Sequence, residues 1–139
     1  MIRVLIADDF PQMIQVMTGL IGRADDMVVA DVVTHFRDVL ARVLEIDHEV
    51  ILMNDYLPPM TSVNATKALR DIGVNSPVLV ISMQQDATLI RDALAAGANG
   101  FILKEEFTRH LLPAIRHVYE GQPYLSPLAE AALAEQGHS

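Results

Sequence analysis

Residues 93–105 read ALAAGANGFILKE and join the end of an amphipathic helix to a buried strand. Gly97 is the residue type that favours the left-handed conformation just after a helix. The apolar run at 100–103 ends at Lys104, which is typical of a strand in the middle of a parallel sheet. Before Gly97, an apolar face repeats at helical spacing, at Leu89, Ala93, Leu94 and Ala96.

The same alternation of apolar runs and amphipathic stretches continues along the whole chain. Five apolar runs indicate strands buried on both faces, at 2–7, 27–33, 50–53, 78–81 and 100–103. Regular alternation of this kind predicts an α/β fold, a (βα)5 doubly wound sheet of five parallel strands with helices on both faces. Ligands of such sheets bind at the carboxyl ends of the strands.

Composition narrows the class of protein. A chain of 139 residues, 51% of them hydrophobic, is enough for one domain with a buried core. It has no cysteine, so disulfides and thiolate metal sites are excluded. A formal net charge of −8 opposes nucleic-acid binding, which needs clustered lysine and arginine. The first ten residues, MIRVLIADDF, indicate neither a signal peptide nor a membrane span, so we expect a cytoplasmic protein.

Gly, Gln and Pro at 121–123 interrupt the last strong helical pattern. We therefore expect the domain to occupy residues 1–121. Residues 122–139 are expected to form a linker or helical tail.

Polar side chains stand at the carboxyl ends of four predicted strands, in the order Asp8, Asp9, Asn54, Asp55, Ser82 and Lys104. Carboxylate oxygens suit a hard divalent cation, and an ammonium with a hydroxyl suits a phosphoryl group. A single aspartate near a helix start is more often a cap, and a single lysine is more often a surface charge. These residues together predict a binding site, because the carboxyl ends of the strands lie at one edge of the sheet, called the rim below.

Several ordered motifs resemble the receiver domains of two-component response regulators, of the subfamily with a NarL/LuxR-type output domain. The matching stretches are IADD at 6–9, VILMN and LPPM within 50–60, ALAAGANGFILKE at 93–105 and AIRHVYEGQPYLSP at 114–127. The resemblance implies a flavodoxin-like fold with strand order 2-1-3-4-5. It also implies a part in phosphorelay signal transduction, as the regulatory part of a DNA-binding transcriptional regulator and not as an enzyme.

The resemblance also implies roles for single residues. Asp8 and Asp9 correspond to the acidic pair that binds Mg²⁺, and the backbone carbonyl of Tyr56 is a further ligand. Ser82 corresponds to the switch hydroxyl, which follows a phosphoryl group. Phe101 corresponds to the switch aromatic, whose rotamer couples the site to the outer surface. Lys104 corresponds to the lysine at the rim. The implied partners are a histidine kinase or another signalling protein, a second copy of the chain, and an output DNA-binding domain if the protein is longer.

The phosphoacceptor position departs from the family pattern, because it holds Asn54 in place of aspartate. A neutral carboxamide oxygen is a poor nucleophile and forms no stable acyl phosphate. The replacement also removes one negative charge, so Mg²⁺ binding should be weakened. The sequence therefore predicts a receiver that is degenerate for phosphorylation.

Two alternatives stay open. The first is a working receiver that uses Asp55 as its acceptor or has an altered site geometry, although strand alternation would turn the Asp55 side chain away from Lys104. The second, less favoured, is a small aspartate-nucleophile phosphatase. Phosphatases of the haloacid-dehalogenase kind place aspartates two residues apart after the first strand, whereas Asp8 and Asp9 are adjacent.

Overall fold

A computed structural model describes residues 1–137 as a parallel sheet with helices on both faces. The strands are β1 (Ile2–Ala7), β2 (Met27–Val33), β3 (Val50–Asn54), β4 (Tyr56–Leu57), β5 (Met60–Thr61), β6 (Val78–Ser82), β7 (Gly100–Leu103) and β8 (Tyr124–Leu125). The helices are α1 (Pro11–Gly22), α2 (Phe36–Glu45), α3 (Ser62–Asp71), α4 (Ala87–Ala96), α5 (Phe107–Tyr119) and α6 (Pro127–Gly137). A short 3₁₀ turn, Lys104–Glu106, joins β7 to α5.

The main sheet has the order β2-β1-β3-β6-β7-β8, and every neighbouring pair of strands is parallel. The five apolar runs of the sequence all form strands of this sheet. The prediction of five strands is nevertheless wrong by one, because β8 pairs with the edge of β7 and sets Tyr124 opposite Gly100. A strand of two residues is too short to show a hydrophobic period. A separate hairpin, β4 and β5, follows β3.

Apolar side chains form two clusters, one on each face of the sheet, as expected for strands buried on both sides. The cluster beneath α1 and α5 includes Met17, Ile21, Leu111 and Ile115. The cluster beneath α2, α3, α4 and α6 includes Val39, Leu69, Ile90 and Ala129. The loops at the carboxyl ends of the strands are thus held between two packed layers.

Local signals place α4 accurately. The side chain of Asp86 accepts hydrogen bonds from the backbone N–H groups of Thr88 and Leu89, at 2.9 and 3.3 Å. Gly97 ends the helix with φ at 113°, the left-handed region that favours glycine. The glycine cap that the sequence predicts is therefore confirmed. The first turn of α4 begins at Ala87, shortly after the carboxyl end of β6.

The segment after α5 packs on the sheet. Ser126 is fully buried, and its hydroxyl accepts a hydrogen bond of 3.1 Å from the backbone N–H of Leu103. Ala129 and Ala132 of α6 are buried against α4 and β7. A linker to an output domain over 122–139 stays a prediction, and its last two residues lie outside the described part of the chain. None of the helices within residues 1–137 is long and apolar enough to cross a membrane.

Candidate functional site at the carboxyl edge of the sheet

Asp8 follows β1 and is only 1% exposed. Its Oδ1 accepts a hydrogen bond of 2.8 Å from the backbone N–H of Phe10, whereas its Oδ2 is buried and meets no donor among residues 1–137. Burial raises the pKa of Asp8, while the Phe10 N–H and the charge of Lys104 act in the opposite direction. The neighbouring Asp9 is exposed and adds to the negative charge.

Asn54 is the last residue of β3, and its amide is turned toward the chain that follows. Its Nδ2 donates a hydrogen bond of 3.1 Å to the backbone carbonyl of Tyr56. The carbonyl can only accept, so the NH₂ group of Asn54 must be the atom that faces it. The carbonyl predicted as a cation ligand therefore accepts a hydrogen bond from Asn54. Oδ1 of Asn54 is buried without a donor in the described chain.

Asp55 contacts the predicted switch hydroxyl. Oδ2 of Asp55 accepts a hydrogen bond of 2.6 Å from the hydroxyl of Ser82, which is fully buried. The expectation that Asp55 points away from Lys104 stays a prediction; because β3 ends at Asn54, strand alternation does not set the direction of the next side chain. Instead, Asp55 reaches across to the end of the neighbouring strand β6.

Lys104 lies at the same rim, and its Nζ is 5.9 Å from the centroid of the Phe10 ring. This is within the range of a cation–π interaction. An open cleft of about 490 Å³ beside it is lined by Phe10, Met13, Met83, Lys104 and Glu105. Met83 is 76% exposed and was not among the residues predicted at the site. The available signal was an apolar residue directly after the predicted strand end.

Phe101 is not part of the rim. Its side chain is fully buried in the cluster that β7 shares with α4 and α6. Its backbone carbonyl accepts a hydrogen bond of 3.1 Å from the N–H of Ser126. The structure therefore places the predicted switch aromatic beneath the C-terminal segment.

The oxygen atoms at the rim can be compared with the ligands that a hard cation prefers. Two buried oxygens without donors, Asp8 Oδ2 and Asn54 Oδ1, are the kind that a cation satisfies. The Tyr56 carbonyl is engaged by Asn54. Within residues 1–137, no three histidine, aspartate or glutamate side chains lie close enough together to hold a metal ion. The two oxygens are therefore of the chemical type that a hard cation binds.

Comparison with known proteins finds a family whose profile matches most of the chain. The profile of the family described as the response regulator receiver domain matches residues 4–116. Oxygen regulatory protein NreC of Staphylococcus carnosus strain TM300 is 27% identical over 135 residues, covering 96% of this chain and 62% of that protein. NreC of Staphylococcus aureus strain JH9 is 28% identical with the same coverage, 96% and 62%. The chain thus spans 62% of the length of these curated relatives.

Solved structures share the fold. A two-component response regulator of the LuxR family from Aurantimonas sp. SI85-9A1 superposes with a TM-score of 0.93 at 23% identity, covering 99% of this chain and 98% of that chain. The isolated REC domain of RcsB from Salmonella enterica serovar Typhimurium, with the phosphomimetic BeF3-, gives a TM-score of 0.88 at 16% identity. It covers 95% of this chain and 98% of that one.

Proposed function

The chain belongs to the response regulator receiver domain family, and we propose that it is a degenerate receiver of the NarL/LuxR type. It keeps the fold and most rim residues of a receiver but forms no acyl phosphate. It acts as a regulatory module through contacts with other proteins and not as an enzyme. The observation that carries this proposal is Asn54, whose amide is bonded to the carbonyl of Tyr56.

The chemistry of Asn54 supports the proposal in two ways. An amide oxygen is a poor nucleophile toward phosphorus, so the step that forms the acyl phosphate is lost. The amide N–H also occupies the carbonyl of Tyr56, which an aspartate could not do because a carboxylate has no hydrogen to donate. One substitution therefore removes the nucleophile and engages a predicted cation ligand.

Mg²⁺ is the cation that the family implies. Asp8 and Asp9 would hold it, and when bound it would supply positive charge at a rim that carries three aspartates. With Asn54 in place of a third ligand carboxylate, we propose that this binding is weak. Buried Ser82 and rim Lys104 keep the positions that would sense a phosphoryl group.

The partners belong to the same proposal. The curated relatives extend beyond the matched region, and a protein of similar length would have room for an output DNA-binding domain after α6. A histidine kinase or another signalling protein, and a second copy of the chain, are the other proposed partners. The proposed location is the cytoplasm.

A second candidate is a receiver that uses Asp55 as its acceptor. The observation that favours it is the contact between Asp55 and Ser82, which puts a carboxylate beside the switch hydroxyl. Against it, Oδ2 of Asp55 accepts a hydrogen bond from that hydroxyl, so this one of its two oxygens is a weaker nucleophile.

The test is incubation with acetyl phosphate and Mg²⁺, followed by borohydride trapping and mass spectrometry. We expect no adduct on the unaltered chain and an adduct at residue 54 of the Asn54→Asp variant, which serves as the positive control. An adduct at Asp55 of the unaltered chain that disappears in the Asp55→Ala variant would replace the first proposal with the second.

A further inference from the structure

The hydroxyl of Ser82 bridges two segments. It donates to Oδ2 of Asp55 over 2.6 Å and accepts a hydrogen bond of 3.0 Å from the backbone N–H of Gln84. A hydroxyl-to-carboxylate bond of this length is of the strong, charge-assisted kind. Because Ser82 is fully buried, water cannot replace either partner without a change in structure. The Ser82 hydroxyl therefore connects Asp55 to the loop 83–86 that follows β6.

That loop contacts the first turn of α6. The side-chain amide of Gln85 donates a hydrogen bond of 3.3 Å to the backbone carbonyl of Leu128. On the other side, the backbone N–H of Leu128 donates to Oε1 of Glu106 over 2.9 Å. The start of α6 is thus held between the loop after β6 and the turn after β7.

A second connection runs through the sheet. Ser82 lies opposite Leu103 in the register of β6 and β7. The N–H of Leu103 donates to the hydroxyl of Ser126, the residue that precedes α6. The end of β6 is therefore linked to the start of α6 both through the loop and through the neighbouring strand.

We propose that the carboxylate of Asp55 is a built-in ligand of the switch hydroxyl, which keeps α6 docked on α4 and β7 without phosphorylation. This deepens the proposed function and rests on it for the role of Ser82 as the switch. Asp55 is a positioning residue in this scheme, since it acts on α6 through Ser82 and the loop 83–86. Removing its carboxylate leaves the Ser82 hydroxyl without its acceptor in a buried place, which is costly. The loop 83–86 then moves so that the hydroxyl finds another acceptor, and α6 loses the hydrogen bond between Gln85 and Leu128.

The experiment measures amide hydrogen exchange by NMR on the full chain, without phosphodonor or Mg²⁺. In the Asp55→Ala variant we expect the amides of Gln84, Leu103 and Leu128 to exchange at least about tenfold faster, while those of β1 and β3 change little. The matched control is Asp92→Asn, which removes an exposed carboxylate lining the same groove as Asp55. We expect its exchange rates at these amides to stay within about twofold of the unaltered chain.

The Ser82→Ala variant supplies a second measurement, and it is used if Asp55→Ala does not fold. It should accelerate amide exchange at Leu128 as Asp55→Ala does. The double variant should show no further acceleration, because both changes break the same connection. Unchanged exchange at Leu128 in Asp55→Ala, or equal acceleration in Asp92→Asn, would overturn the proposal. Failure of the proposed function would instead appear as a phosphoryl adduct, which this measurement does not involve.

Discussion

The side-chain amide of Asn54 donates a hydrogen bond to the backbone carbonyl of Tyr56 over 3.1 Å. An aspartate at this position could not make that bond and would leave the carbonyl free to bind a cation. The presence of asparagine therefore changes two potential ligands at once. The nearby Asp8 keeps one buried oxygen without a donor in the described chain, so the rim still has an acceptor to offer.

The Asn54→Asp variant should bind Mg²⁺ at least about tenfold more tightly than the unaltered chain, because it adds a charged ligand and releases the Tyr56 carbonyl. Isothermal titration calorimetry measures the difference. The control is Asn64→Asp, which adds the same charge at an exposed position on α3. Equal gains in the two variants would mean that net charge alone is responsible and that the ligand argument is wrong.

The Asp8→Asn variant should unfold at a higher temperature than the unaltered chain at pH 7. Burial raises the pKa of Asp8, and a carboxyl with a raised folded-state pKa contributes stability below its unfolded pKa and loses it as the pH rises through the folded pKa. The difference should therefore shrink toward about pH 3, where both states are protonated. Thermal denaturation followed by circular dichroism across this range checks it, with exposed Asp71→Asn as the control. A gain that does not depend on pH would contradict the assignment.

The Arg70→Met variant should lower the free energy of unfolding by about 2–4 kcal/mol. The guanidinium donates to the backbone carbonyls of Val74, Ser76 and Gly97 and to Oδ1 of Asn99, at 2.8 to 3.0 Å. Its removal leaves the three partly buried carbonyls without this donor, whereas Oδ1 of Asn99 keeps the hydrogen bond of 2.9 Å from the backbone N–H of Val78. Urea denaturation measures the loss, and exposed Arg91→Met on α4 should change stability by less than about 0.5 kcal/mol. Similar losses for the two arginines would show that the hydrogen bonds contribute little.

The Gly100→Ala variant should be destabilised by about 1–3 kcal/mol and should lose the pairing of β8 with β7. A Cβ at Gly100 would lie 2.7 Å from Cδ1 of Leu79 and 2.9 Å from the backbone oxygen of Tyr124. Urea denaturation and amide exchange at Ser126 measure the two effects. In Gly19→Ala the new Cβ meets nothing within 4 Å on the exposed side of α1, so a gain of about 0.5–1 kcal/mol is expected. Intact exchange protection at Ser126 in Gly100→Ala would argue against close packing of β8.

The local sequence was sufficient to predict the five long strands and the ends of α4. The apolar runs predicted the five long strands, because burial on both faces of a parallel sheet demands apolar residues at every position. Asp86 and Gly97 predicted the ends of α4, since capping involves only neighbouring residues. Polar residues after these strands supplied the candidate site residues, whose roles stay predictions.

Contacts between distant segments decided the rest. The pairing of β8 with β7, the turn of Asp55 toward Ser82 and the packing of α6 join residues that are 22 or more positions apart, such as Glu106 and Leu128. No periodic pattern in the chain encodes such contacts, because they depend on which surfaces the packed sheet brings together. The orientation of the Asp55 carboxylate is thus decided by the tertiary structure, although the sequence alone identifies Asp55 as a residue at the end of β3.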